Sequence, residues 1–90
     1  MAKVSGDPSE LRRFARDLNR FNNDLQGLVT SLHGRLVDLG RTWQDQEHRK
    51  FSEQFEQATK VLSRFVEDSN EHVTFLNRKA QHLEEYLNQH

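Results

Sequence analysis

The chain carries two long runs of apolar residues spaced alternately three and four apart, separated by one short break. Before the break stand Leu11, Phe14, Leu18, Phe21, Leu25, Leu28 and Leu32. After it stand Phe51, Phe55, Ala58, Leu62 and Phe65, then Leu76, Leu83 and Leu87. That spacing is the mark of one buried stripe along an α-helix. Two such stripes joined by a tight turn can leave water only by facing each other. The expectation is an all-α, antiparallel two-helix hairpin, one domain over residues 1–90. Its first helix covers about 8–39, its turn about 40–42 and its second helix about 43–88.

The ends of the first helix are signalled locally. Asp7-Pro8-Ser9-Glu10 combines an N-cap acceptor, a proline suited to the first helical position and an acid that complements the helix dipole. Gly40 is expected to close the helix as a left-handed cap. Thr42 is the expected N-cap of the second helix, with Asp45 at its third position. A turn centred on Arg41 and Thr42 sets Leu32 opposite Phe51, Leu28 opposite Phe55, Phe21 opposite Leu62 and Leu18 opposite Phe65. In the same register Arg12 meets Glu71 and Arg16 meets Glu67. Ser69 and His72 fall in the seam against Phe14 and Leu11.

The expected helices are unequal, so the second should project roughly 20 Å beyond the first at 1.5 Å per residue. A further stripe lies one position round from the seam: Val66, Val73, Ala80 and Leu87 on the second helix, Ala15, Val29 and Leu36 on the first, with Asn22 as its polar exception. An apolar face wider than one seam belongs to a bundle of more than two helices. Two hairpins packed face to face, most simply as a two-fold dimer, supply four. The expected dimer interface is Val29, Val66, Val73, Phe75, Leu76, Ala80, Leu83 and Leu87. The second chain would be a copy of the first (homodimer) or a similar hairpin (heterodimer).

Composition narrows the function. A formal net charge of -1 lacks the basic excess of a polyanion binder. The alternative reading is a nucleic-acid-binding bundle using the basic run Arg12, Arg13, Arg16 and Arg20. It is disfavoured because Glu67 and Glu71 oppose the run and no aromatic residues interleave with it. There is no cysteine, hence no disulfide or thiolate chemistry. No apolar run approaches the length of a membrane span or of a signal-peptide core, so the protein is expected in the cytoplasm or exported without a cleaved signal. Asp45-Gln46-Glu47-His48 has the acid-x-x-His spacing of di-iron bundles, but those need a second copy and further glutamates. No metal, cofactor or catalytic site is expected. Gly27 and Gly34 fall on one face of the first helix, each unfavourable in a helix interior.

Trp43 stands in the break, three residues after Gly40, with Phe51 eight residues later and Phe55 one helical turn beyond. In this the chain resembles the WXG superfamily of ESAT-like helical hairpins over nearly its whole length. The resemblance implies a homo- or heterodimeric four-helix bundle and a substrate or partner of type VII secretion, a binding role rather than an enzymatic one. Two features depart from the family pattern. Trp43-Gln44-Asp45 has Asp where the family has Gly. Tyr86 is followed four residues later by His90 rather than by the acid of the family's C-terminal export signal. Gly40, Trp43 and Asp45 make up the turn motif. The Trp43 ring is expected to reach back over Leu36 and Leu39 and plug the bundle end.

Overall fold

The computed structural model describes residues 6–88. It consists of helix α1, Pro8–Leu39, and helix α2, Gln46–Asn88, antiparallel and joined by residues 40–45; among the described residues there is no strand. The all-α hairpin is as expected. Asp7 caps α1: its Oδ1 accepts from the Ser9 amide at 2.9 Å and from the Ser9 hydroxyl at 2.7 Å. These two bonds to the charged form hold the Asp7 carboxyl below its ordinary value.

The turn departs from expectation at both ends. Gly40 is right-handed, at φ -62 and ψ -15, rather than a left-handed cap. Its lack of a side chain serves close approach instead. A Cβ there would lie 3.1 Å from His48 Cε1 and 3.2 Å from the Val37 carbonyl oxygen. The chain leaves α1 by tightening, as the Thr42 and Trp43 amides both donate to the Leu39 carbonyl, at 3.1 and 2.9 Å. Helix α2 then starts at Gln46, three residues later than expected. Asp45, not Thr42, supplies the cap by accepting from the His48 amide at 3.0 Å. The Thr42 hydroxyl is turned back onto the Leu39 carbonyl at 3.3 Å.

The longer turn and a rotation of each helix give a different seam. The buried residues are Ala15 and Asn22 on α1 and Val66, Ser69, Ala80 and Leu83 on α2. Leu11, Leu18, Leu25, Val29 and Leu36 flank them half-buried on α1, as do Phe55, Thr59, Val73 and Leu76 on α2. Small side chains at the centre let the helices approach, and large rings would hold them apart. Asn22 Nδ2 donates to Asn70 Oδ1 at 3.1 Å, where the expected register would bring Val61. Arg12 pairs with Glu84, Nε to Oε1 at 3.2 Å, rather than with Glu71. This bond holds the Glu84 carboxyl below its ordinary value and raises Arg12. Arg16 and Glu67 form no ion pair. The expected overhang also shrinks, because Gly6 lies against Leu83 and only the last residues of α2 run past α1.

Asn22 is fully buried, yet its Oδ1 has no protein partner. A polar group at this depth sets register at a cost in stability. Asn22→Leu should therefore stabilise the hairpin by about 1–2 kcal/mol in urea denaturation while loosening its register. An equal or lower midpoint would refute this.

Asp7 and Glu84 are depressed by bonds that exist only in the folded state. They contribute stability that is complete above the ordinary carboxylate range and is lost as pH falls through their folded values. Thermal melts should show the melting temperature dropping on the acid side. Asp7→Ala and Glu84→Gln should each flatten that drop, and an unchanged acid slope in both would exclude the assignment.

Candidate interaction face

The hairpin measures 68 × 21 × 12 Å, one helix thick, so each helix has two broad open flanks. The flanks differ in chemistry. On one lie the heptad row Phe14, Phe21, Leu28 and Arg35 of α1 and the row Phe51, Ala58, Phe65 and His72 of α2. The Phe21 and Phe65 rings meet edge to face, centroids 6.4 Å apart at 84°, which places both rows on one side. Phe14 is 57% exposed, Phe21 52%, Leu28 67% and Phe65 48%. So much contiguous apolar surface on one chain marks a contact face. The other flank is polar. Arg12–Glu84 and Asn22–Asn70 bridge it, and Gln26, Thr30, Ser63, Glu67 and Asn70, together with Val29, Leu62 and Val66, line a notch of about 210 Å³.

The aromatic flank ends at the turn. The half-buried Trp43 ring stands edge to face on His48, centroids 4.9 Å apart, and lies 6.1 Å from Phe51. Phe51 in turn stacks on Phe55 at 6.2 Å. Trp43 thus packs forward on the first turns of α2. His48 Nε2 is buried beneath it without a partner. Beside this ladder Leu32, Arg35, Leu36, Leu39, Phe51 and Phe55 enclose an almost wholly apolar groove of about 250 Å³.

The residues expected between chains are distributed differently. Val66, Ala80 and Leu83 are buried inside one hairpin, and Val29, Val73 and Leu76 are half-buried in the same seam. Phe75, 61% exposed, and Leu87, 58% exposed, do reach solvent. Phe14, Phe21, Leu28 and Phe65, assigned to the seam by spacing, form the open face. Their signal lay in side-chain size, since Ala15, Ser69 and Ala80 one row away are what close helix contact requires. Of the basic run, Arg12 is held by Glu84 and Arg13 by Glu10. The Asp45 carboxylate of the acid-x-x-His spacing is engaged by the His48 amide as a cap. Among the described residues no group of three His, Cys, Asp or Glu converges, and no helix is long and apolar enough to cross a membrane.

A hairpin of this size, with the tryptophan in its turn and an aromatic step on α2, matches a family model described as proteins of 100 residues with WXG, over residues 3–86. The chain belongs to the WXG100 family. Among solved structures it is similar to the secreted protein EsxB from Bacillus anthracis str. Sterne. The wild-type form is 25% identical, with a TM-score of 0.78, over 90% of this chain and 93% of that one. A glycine-to-alanine variant is 24% identical with a TM-score of 0.82, over 93% and 97%. No curated protein sequence matches significantly. Within the WXG100 pattern, Trp43 keeps its place while Asp45 replaces the motif's glycine and takes on helix capping.

Trp43→Ala should lower hairpin stability by about 2 kcal/mol, less than a fully buried ring, with helix content retained. Circular dichroism melts check this. A wild-type melting temperature would show that the ring contributes nothing to the fold.

Proposed function

We propose that the protein is a non-enzymatic interaction module whose aromatic flank packs against a second hairpin to complete a four-helix bundle, and that it is exported without a cleaved signal peptide. The observation that carries the first part is the row Phe14, Phe21, Leu28, Phe51 and Phe65, which leaves water only if another chain covers it. The export reading is supported by membership of the WXG100 family and likeness to a secreted protein. The second hairpin is a further copy of this chain or a similar one. The balanced charge and the internal pairing of Arg12 and Arg13 speak against nucleic acid.

Sedimentation equilibrium at micromolar concentration should give twice the 10.7 kDa chain mass. Phe21→Glu and Phe65→Glu should each give a folded monomer, whereas Gln57→Glu, behind the face, should leave the dimer unchanged. A monomer in the wild type, on its own and with any hairpin produced beside it, would sink the reading. For export, the protein should accumulate in the medium of producing cells ahead of a cytoplasmic marker.

A further inference from the structure

A partner on the aromatic flank leaves the notch on the polar flank open. The notch lies between the middle of α1 and the middle of α2 and holds about 210 Å³. Part of its wall is apolar: Val66 is buried, Val29 half-buried and Leu62 37% exposed. The rest is polar, made of Gln26, Thr30, Ser63, Glu67 and Asn70. Two groups here are short of a partner. Among the described residues, no ion pair holds the Glu67 carboxylate. Lys60 and Arg64 border it on the outward side of α2, yet neither bonds to it. The second group is Asn22, one helical turn before Gln26. Its Nδ2 donates to Asn70 Oδ1 at 3.1 Å, which sets it at the Asn70 end of the notch. Its own Oδ1 is buried and accepts from nothing in the chain. A buried acceptor without a donor is costly.

The notch therefore lacks donors and positive charge, and offers both beside an apolar wall. We infer that it is a socket for an arginine side chain carried by a partner protein. A guanidinium presents a planar fork of N–H donors and no acceptor. It can bind a carboxylate through two bonds and still donate to a neighbouring amide oxygen. Its methylene stem matches Val29, Leu62 and Val66, against which it can lie out of water. Glu67 repels an anionic ligand. A free small molecule is a poorer occupant, because pockets for such ligands enclose most of their surface. Here every lining residue except Val66 is at least partly exposed, so the socket is open to a side chain arriving from a neighbouring surface. The inference stands whether or not a second hairpin covers the aromatic flank.

Heteronuclear NMR of the side-chain amides of the full chain tests this. Titration with N-acetyl-arginine amide should shift the Asn22, Gln26 and Asn70 signals saturably. N-acetyl-citrulline amide, which keeps the shape without the charge, should not, and N-acetyl-lysine amide should bind more weakly than arginine. An alanine-rich helical peptide carrying a single arginine should shift the same signals. Glu67→Gln should weaken the arginine response about tenfold through loss of a charge-assisted bond, whereas Glu56→Gln, outside the notch, should leave it unchanged. Both positions are exposed, and circular dichroism verifies that each variant keeps its helices. No shift with either arginine probe, an equal shift with citrulline, or an undiminished response in Glu67→Gln overturns the socket. Binding of the free arginine amide but not of the peptide overturns the partner-borne source, and an equal response to lysine overturns the choice of guanidinium.

Discussion

The close contact of α1 with α2 through small side chains is the constraint on which the rest depends. Ala15, Ser69 and Ala80 occupy the centre of the seam, and only such short residues let the helix backbones come together. Once they do, no ring fits between them. Phe14, Phe21 and Phe65 are displaced to one flank, and their apolar area stays unspent. A seam made of larger residues would have produced a fatter, more self-sufficient hairpin with nothing left to offer a partner. Low burial within the chain and a large exposed apolar face are thus one fact seen from two sides.

The turn is built to the same end. A side chain at Gly40 would crowd His48 and the Val37 carbonyl, and His48 in turn packs edge to face on the Trp43 ring. Asp45 then starts α2 through the His48 amide. The replacement of the WXG100 motif's glycine by aspartate exchanges backbone freedom for a side-chain cap, and the aromatic sequence Trp43, His48, Phe51, Phe55 continues the open face to the end of the hairpin. The turn is therefore both the stop of one helix and the wall of a groove.

The two flanks divide labour. The polar flank carries the long-range bonds that hold register, Arg12–Glu84 and Asn22–Asn70, where water can reach the charges. The aromatic flank carries almost none, and its cross-helix ring contact, Phe21–Phe65, still leaves both rings half open. The bonds that align the helices thus lie on the polar side, apart from the exposed apolar rings.

Much of this was legible in the residues. Heptad spacing determined the two helices, their antiparallel packing and the presence of more apolar surface than one seam can hide. Asp7-Pro8 determined the start of α1, and Trp43 beside Gly40 the family and the place of the turn. Spacing could not say which of two adjacent rows faces inward, because both repeat every seven residues and differ by a rotation of one position. The larger, more apolar row was the natural choice for the interior, and it proved to be the exterior. Likewise Asp45, expected at the third helical position, became the cap in place of Thr42, and the helices settled in a register that sets Glu84 rather than Glu71 opposite Arg12. Periodicity is a property of one helix and is written in the chain. Rotation and register belong to a pair of helices, and they were decided only when side-chain volume and turn length were satisfied together in three dimensions.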